Sequence, residues 1–291
     1  MVFACNNPQT TVQETTETSE EIAVDFPKRS LSEAFKKHWF DGNAELSVYQ
    51  LRQLRYGELR SGTADMIFVT EPFNPKLQVK ADRPNSESLS VFKLNATRKF
   101  LTGIYPYSTM VSSFVDLTHD APPVKYTASI QEWCGQTFTQ FNRGADYTIQ
   151  QNSYFESEAD TTYTIAHALM EHSLMQQIRI NPEQLPTGEQ AVVPFLEYIR
   201  FKHIPAQAYE AELSIDSAEE NLMKYRIAYN DINRVVDIYY EKQFPHKILR
   251  WTETYDEQTT SATLNHSQRI DYWSKNKAAD TILRKAFYDQ L

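Results

Sequence analysis

The sequence has few cysteines and few glycines, and this scarcity excludes several classes of site. Only two cysteines, Cys5 and Cys134, occur among 291 residues, and neither has a partner at metal-ligand spacing, which excludes a cysteine-rich zinc site. A disulfide between them stays open, although it would join the terminus to a predicted strand. The chain has 7 glycines and no Walker loop, Gly-x-Gly-x-x-Gly motif or Gly-x-Ser-x-Gly elbow.

Charge and hydropathy exclude two further classes. The net charge is -9, and the basic residues occur in pairs such as Lys36-Lys37 instead of long runs, which argues against nucleic acid as a partner. No run of 18 apolar residues occurs, so the sequence predicts no transmembrane helix. No catalytic or cofactor motif emerges, and we expect no catalytic residues, no cofactor and no metal ion.

The first residues fit part of a bacterial lipidation pattern. Val2 and Ala4 match the aliphatic and small residues expected before a lipid-bearing cysteine, here Cys5, whereas Phe3 departs from the pattern. No basic or apolar signal segment precedes them, so residues 1–4 are interpreted as the end of a truncated signal sequence. Two or three acyl chains on Cys5 would anchor the chain firmly to a membrane. The alternative is an ordinary N-terminal cysteine.

The next segment is typical of a tether. Residues 6–24 are rich in Thr and Glu and contain no aromatic residue, so they cannot bury enough apolar surface to offset their ordering entropy. We therefore expect a disordered tether over 1–25 and a single β-rich domain over 26–291. The predicted location is the cell envelope, at the outer membrane or the periplasmic face, with the lipid on Cys5 as the membrane contact.

A hydrophobic period of two dominates the folded part. From Asn43 onward, apolar and polar residues alternate in successive stretches, most clearly over 124–131. Short turns join these stretches, which favours antiparallel neighbours and leaves no room for crossover helices. The pattern predicts about ten strands. They include one over Val193–His203, and Ile248–Tyr255 is the last.

Three segments have helical spacing. Ser30 and Glu33 form a predicted capping box for a short helix that ends near Asp41. Residues 160–178 and the C-terminal 275–291 carry apolar side chains on one helical face. Together with the strands, these predict a mainly β (α+β) protein. We expect one large curved antiparallel sheet or partial barrel, with two or three helices packed on its concave side.

Two groups of residues are candidates for a site. Tyr105, Tyr107 and Trp133 could line an apolar groove for a ligand, or they could be ordinary core or sheet-face residues. In the predicted helix, His167 and His172 are five residues apart and would point away from each other, so they cannot share a metal ion. His167 and Glu171 would share a helix face, either as a functional pair or as polar residues on the flank.

Four segments carry a resemblance to a known family. They are Leu94–Ser108, Glu132–Phe138, Arg179–Gly188 and Lys242–Trp251. Together they resemble uncharacterised lipoproteins of Bacteroidota. Some members carry the name septum formation inhibitor Maf, but the Ser-Pro-Arg-Arg-type motif of Maf nucleotide pyrophosphatases does not occur here. The resemblance implies an envelope location, a curved sheet similar to periplasmic lipoprotein carriers, and no catalytic residues to carry over.

Three functions remain open at this point. The leading interpretation is a non-enzymatic envelope lipoprotein that binds a lipid-like or other apolar ligand in its curved sheet, which predicts a continuous apolar cavity. The second is an interaction or scaffold protein of a surface complex, which predicts a large exposed apolar patch. The third is a hydrolase whose acid and base residues come from separate strands.

Overall fold

A computed structural model describes residues 26–288 of the chain. Within this range the backbone forms one sheet of sixteen strands and four α-helices. The strands are β1 Ala44–Arg55, β2 Glu58–Asn74, β3 Val79–Lys80, β4 Leu89–Thr102, β5 Tyr105–Asp116, β6 Lys125–Glu132, β7 Gly135–Arg143, β8 Tyr147–Ser153, β9 Thr161–Ile165, β10 Leu169–Met170, β11 Gly188–Val193, β12 Tyr209–Glu219, β13 Leu222–Tyr229, β14 Arg234–Glu241, β15 Ile248–Tyr255 and β16 Gln258–Ile270. The helices are α1 Glu33–Trp39, α2 Glu171–Ile180, α3 Leu196–Lys202 and α4 Thr281–Tyr288.

The sheet is open, and its two edges lie close to each other where they are joined in the chain. Its strand order is β10-β11-β12-β13-β14-β15-β16-β1-β2-β4-β5-β6-β7-β8-β9, with β3 paired to β2 outside this path. Every pairing is antiparallel except β10 with β11. The two edge strands, β9 and β10, are consecutive in the chain, so the four residue steps from Ile165 to Leu169 hold them within about 14 Å of each other there. This junction is the seam of a barrel-like sheet.

The alternating sequence pattern corresponds to the two faces of this sheet. In β6, Tyr126, Ala128 and Ile130 are buried, as the period of two predicts. The expectation of a mainly β protein with a large antiparallel sheet, barrel-like and carrying a few helices, is therefore confirmed.

Helices fill the concave side of the sheet. In α2, nine of the ten residues are buried, because the helix lies against β4, β5 and β10. Helix α1 buries Phe35 and Trp39 in the same core, and α3 covers β6. Helix α4 lies on the outer face, where Tyr288 donates a hydrogen bond of 2.8 Å to Asp65. Among residues 26–288, no helix combines the length and apolar character needed to cross a bilayer.

Three predicted helices need corrections, and one predicted strand is largely a helix. The N-cap of α1 is Ser32, whose Oγ accepts from the Phe35 amide at 3.1 Å, instead of Ser30, and the helix ends at Trp39. The segment 160–178 is helical only from Glu171, because Thr161–Ile165 pairs with β8 as a strand. The expected strand Val193–His203 is largely helix α3. In the expected C-terminal helix 275–291, short 3-10 turns precede the α-helix, which begins at Thr281.

The strand predictions need two further corrections. Over residues 26–288 the sheet has sixteen strands instead of about ten. Ile248–Tyr255 is not the last strand, because β16 follows it and pairs with both β15 and β1. Its run of Thr, Ser, Asn and Gln lacks the apolar alternation on which the prediction relied. This polar strand joins the two halves of the sheet. The predicted tether, residues 1–25, lies outside the described residues.

Candidate functional site

A cavity lies at the seam of the sheet. It has a volume of about 460 Å³, within the usual range for small-molecule sites. We call it the seam cavity. It is lined by Arg29, Val115, Asp120, Ala121, Pro122, Pro123, His167, Ala168, Leu169, Ser173, Leu174, Gln177, Gln184, Pro186, Gln190 and Ala191. These residues come from β5 and the β5–β6 connection, from β10 and the β9–β10 connection, from α2, β11 and the segment between them, and from the segment before α1. They meet only once the sheet has folded.

Arg29 organises the polar wall of the seam cavity. Its Nε donates to the carbonyl oxygens of Asp116 and His119 at 3.0 and 3.2 Å, and one terminal nitrogen donates to Gln177 Oε1 at 2.9 Å. The other terminal nitrogen forms an ion pair with Asp120 at 2.9 Å. Burial lowers the pKa of Arg29 and the two aspartates partly offset this, so the guanidinium stays charged but is already neutralised by its neighbours.

Asp116 ties the loop behind this wall together. Its fully buried carboxylate accepts from the amides of Thr118 and His119 at 2.7 and 3.1 Å. It also lies 3.4 Å from a terminal nitrogen of Arg143, which in turn donates to the carbonyl of Pro122 at 2.7 Å. Because the carboxylate is satisfied from within the protein, the β5–β6 loop presents Pro122 and Pro123 to the cavity in a fixed position.

His167 is the titratable group least engaged by its neighbours in the seam cavity. Its ring lies edge-on to Tyr147, with centroids 5.0 Å apart. Burial lowers the pKa of His167 below its usual value and the backbone of Gly144 partly offsets this, so the imidazole is neutral at pH 7. Its Nε2 has no hydrogen-bond partner among the described residues. The cavity therefore combines apolar walls with a neutral polar group and an already neutralised cation.

The interior of the sheet is packed. Side chains from both halves of the sheet and from α1, α2 and α3 form a continuous buried core in the described part of the chain. A void beside Arg98, His172, Phe195 and Trp251 measures about 10 Å³, room for no more than one water molecule. The concave side of the sheet is thus filled by side chains of the protein itself. The seam cavity is much larger than this void.

A cluster of charges lies within this core. Arg98 and Arg234 approach the two oxygens of Glu253 at 2.8 and 3.0 Å, and Arg234 also bonds Glu171. Burial disfavours the charged form of Glu253, but the two guanidinium groups outweigh it and hold the pKa of that carboxyl below its usual value. We call these residues, together with Glu197, the interior charge cluster.

Glu197 differs from the other carboxylates of the interior charge cluster. Burial raises its pKa, and Arg98, 3.5 Å away, only partly opposes this. Neither carboxylate oxygen has a hydrogen-bond partner among the described residues. Burial therefore favours the neutral form of Glu197, as expected for a carboxyl group in low-dielectric surroundings. Because the interior charge cluster is closed to solvent, it joins helices to the sheet and is not open to a substrate.

The structure brings the predicted groove residues together, but away from the seam cavity. The ring of Tyr105 lies 5.9 Å from that of Tyr107 and 6.2 Å from that of Trp133. Tyr107 is buried and stacks on Phe100 at 4.9 Å, whereas Trp133 is 68% exposed. The three residues form a stacked aromatic group at hairpin turns, and whether it binds a ligand stays a prediction. The predicted lipidation residue, Cys5, lies outside the described residues.

His167 and Glu171 neither form a pair nor share a helix face, so the helix on which both alternatives relied is wrong for His167. His167 precedes β10 and lines the seam cavity, whereas Glu171 begins α2 and contacts Arg234 in the core. The helix that would align them begins only at Glu171. Across the described residues, no group of three or more His, Cys, Asp or Glu side chains could hold a metal ion.

Sequence reasoning missed both the seam cavity and the interior charge cluster. A signal for the cluster was present, because Arg98 and Glu253 fall in phase with the buried apolar residues of their strands. A charge at an inward position of a strand indicates a buried partner. No comparable signal exists for the seam cavity, since its residues are distant in sequence.

The structure belongs to the class of barrel-like antiparallel β proteins with a filled interior. No protein-family model matches the chain, and no curated protein matches it. Among solved structures, it is similar to a β-barrel-like protein of the domain of unknown function DUF1849 from Brucella abortus, with a TM-score of 0.50 and 8% identity. The match covers 79% of this chain and 98% of that one. At this identity the likeness concerns the fold alone.

Proposed function

We propose that this protein is a non-enzymatic binding protein that takes an apolar or amphipathic small molecule in its seam cavity. The observation that carries the proposal is the cavity of about 460 Å³ beside a packed interior. A small molecule gains most from apolar walls, with a few polar groups to set its orientation. Val115, Leu169 and Leu174 provide such walls, and His167 provides a neutral polar group.

The charges around the seam cavity favour a neutral or weakly polar ligand. Arg29 is paired with Asp120 and donates to two carbonyl oxygens and to Gln177. An anionic ligand would have to displace these partners, and a cationic ligand would have to compete with Arg29 for the carboxylate of Asp120. A lipid-like molecule with an uncharged polar group is therefore the ligand class that the cavity fits best.

The envelope location is a second part of the proposal. It is supported by the residues around Cys5 and by the Thr- and Glu-rich segment 6–24 that follows. Mass spectrometry of the N-terminal peptide, purified from the native membrane, should find acyl chains on Cys5. An unmodified Met1 would exclude the anchor but would leave the seam cavity proposal intact.

The cavity is tested with N-phenyl-1-naphthylamine, a neutral apolar dye that fluoresces in apolar surroundings. Ala168 lines the cavity, and Ala168→Trp should fill much of it and weaken dye binding about tenfold. Ala218→Trp, at an exposed position near the end of β12, is the matched control and should leave the affinity unchanged. Thermal unfolding checks that both variants fold. Equal affinities for all three folded proteins would exclude binding in the seam cavity.

A further inference from the structure

Several turns of the sheet converge at the end opposite the seam cavity. Because the strands alternate in direction, the β1–β2, β4–β5 and β6–β7 turns and the β8–β9 connection lie at one end. The seam cavity lies at the other end, beside the β5–β6 and β9–β10 connections. We call the first end the hairpin end, defined by Tyr56, Leu101, Ile104, Tyr105, Trp133 and Tyr154.

The hairpin end exposes large apolar side chains. Ile104 is 85% exposed, Tyr154 70%, Trp133 68%, Leu101 59% and Tyr56 56%. A folded protein normally scatters such residues singly, and a concentration of them at one end marks an interaction surface.

Several of the aromatic side chains at the hairpin end are in contact across different turns. The Tyr105 ring stacks 6.2 Å from Trp133, and its hydroxyl lies 3.5 Å from that of Tyr56. The ring of Tyr154 lies so close to Gly135 that a Cβ at this glycine would come within 2.6 Å of it. Three hairpins and one connection thus support one another at this end.

We propose that the hairpin end contacts the surface of a zwitterionic lipid bilayer. That this bilayer is the one to which the protein is anchored rests on the proposed function. The contact between the hairpin end and a bilayer depends only on the folded domain and can be measured without the lipid on Cys5. It makes the protein lie with the hairpin end on the membrane and the seam cavity facing away from it.

The arrangement of side chains fits a bilayer surface better than a protein groove. The most exposed residue, Ile104, is aliphatic and lies at the turn between β4 and β5. Behind it the hydroxyls of Tyr56 and Tyr107 lie 2.9 Å apart, and Arg55 approaches both. In a bilayer, aliphatic side chains are favoured in the hydrocarbon region, and tyrosine and tryptophan are favoured at the level of the headgroups. The order of side chains at the hairpin end matches this arrangement.

The charges at the hairpin end select the type of bilayer. Glu158 is paired with Arg200, and Asp256 is paired with Lys202. Glu132, beside Trp133, has no cation within ion-pair distance among the described residues and instead accepts from the Cys134 amide at 2.8 Å. Arg55 donates to the carbonyl of Phe201 at 2.9 Å and pairs with no carboxylate among the described residues, so its charge and that of Glu132 offset each other. The end therefore offers no excess positive charge for anionic lipids, and we expect apolar attraction that depends little on salt.

The predicted anchor can reach the same bilayer. The described chain begins at the end of the sheet that holds the seam cavity, where Lys28 forms a β-bridge with His119. The 21 residue steps from Cys5 to Phe26 span up to about 70 Å, whereas β4, with 14 residues, is about 46 Å long. An anchored domain needs only a weak additional contact, because the anchor keeps its local concentration at the membrane high.

The test uses the full chain with Cys5→Ser and vesicles of zwitterionic phosphatidylcholine that carries brominated acyl chains. Bromine quenches nearby tryptophans, and Trp133 and Trp273 are the exposed ones, whereas Trp39 and Trp251 are buried. We expect quenching that persists in 0.5 M salt. Trp133→Phe should abolish the quenching, because the fluorophore is lost while the aromatic contact remains. Trp273→Phe should retain it.

A second variant measures the contact without relying on tryptophan. Ile104→Ser should weaken partitioning to the vesicles about tenfold. Leu77→Ser changes a residue that is 71% exposed near the opposite end and should have no effect. The proposal is overturned by absence of quenching, by binding that requires anionic lipid, or by equal losses in the two serine variants. Self-association that Ile104→Ser abolishes, without vesicle binding, would make the hairpin end an interface between copies and would also overturn the proposal.

Discussion

Two groups of charged side chains in this molecule use the same residue types in different surroundings. In the interior charge cluster, Arg98, Arg234 and Glu253 are each 4% exposed or less. At the seam cavity, Arg29 is 5% exposed, but its ion-pair partner Asp120 is 62% exposed. If Arg29 is removed, water can solvate Asp120. In the interior charge cluster, water cannot reach a carboxylate that loses its arginine.

The difference shows that an ion pair contributes most to stability when both of its partners are buried. Inside the core, each charge depends on its neighbours, because removing one leaves another desolvated and unpaired. At the seam, water shares the interaction, so the same residue type contributes less to stability and remains close to a ligand. The predictions below compare the two groups through the free energy of unfolding.

The largest effect is expected for Arg234→Ala. It leaves Glu171 and Glu253 buried without this guanidinium and should lower the free energy of unfolding by about 3–5 kcal/mol, measured by urea denaturation. Arg226→Ala is the control, since Arg226 pairs with Asp237 at a partly exposed position, and it should cost less than about 1 kcal/mol. Similar losses in the two variants would show that burial of the cluster does not matter.

Two isosteric changes should separate the carboxyls of the interior charge cluster. Glu253→Gln removes a charge that two guanidinium groups hold ionised, and it should cost about 2–4 kcal/mol. Glu197→Gln should cost less than Glu253→Gln, because burial raises the pKa of Glu197 and so favours its neutral form. A loss for Glu197→Gln as large as that for Glu253→Gln would contradict this difference between the two carboxyls.

The pH dependence of Glu197 provides an independent check. Since its folded pKa is raised, the folded state retains a proton that the unfolded state releases above its ordinary value of 4.5. Stability from this group is therefore lost as pH rises from about 4.5 through the folded pKa. Glu197→Gln should remove that part of the pH dependence.

A smaller effect should appear in the pH dependence of the histidines. Burial, and then Arg98 and Arg234, hold the pKa of His172 well below its usual value of 6.5. Below 6.5 the unfolded chain gains a proton that the folded chain refuses, so stability falls as pH decreases, by up to about 1.4 kcal/mol per pH unit. His172→Gln should flatten this slope more than His167→Gln, because His167 is only partly buried.

The smallest effect is expected at the seam. Arg29→Ala removes one ion pair and several hydrogen bonds at the edge of the molecule and should cost about 1 kcal/mol in urea denaturation. Asp120→Asn should cost less still, because its side chain is largely exposed. A loss as large as that of Arg234→Ala would show that the seam is sealed like the core.

The sequence predicted the fold class where local patterns and tertiary pairing agree. The alternation over 124–131 became β6, with Tyr126, Ala128 and Ile130 facing the core. Strand length, turn position and the inward face all follow from the period of two, because the pleat places successive side chains on opposite faces.

Predictions failed where a pattern was ambiguous or too polar. Thr161–Ile165 lies in a segment with helical spacing, but pairing with β8 made it a strand, since β-branched threonines suit a sheet. Leu196–Lys202 follows Pro194 and is a short helix instead of the expected strand. Gln258–Ile270 was missed because its exposed positions and its Thr and Ser residues hide the alternation.

The candidate groove shows how far sequence can reach toward a site. Tyr105 and Tyr107 are close in sequence, and the aromatic density around Trp133 drew attention to the same end of the protein. That Tyr107 is buried while Trp133 is exposed could not be deduced, because each lies near a turn with similar neighbours.

By itself, the sequence determined the β class and the antiparallel neighbours, because these depend on short-range periodicity and spacing. Only the tertiary structure decided that the sheet curves around its own helices, that Arg234 meets Glu171 and Glu253, and that a cavity opens at the seam. Most of these features join residues that are distant in sequence, such as Arg234 and Glu171, although Glu253 lies only 19 positions from Arg234. The free energy that selects them comes from burial and charge pairing, which exist only once the chain has folded.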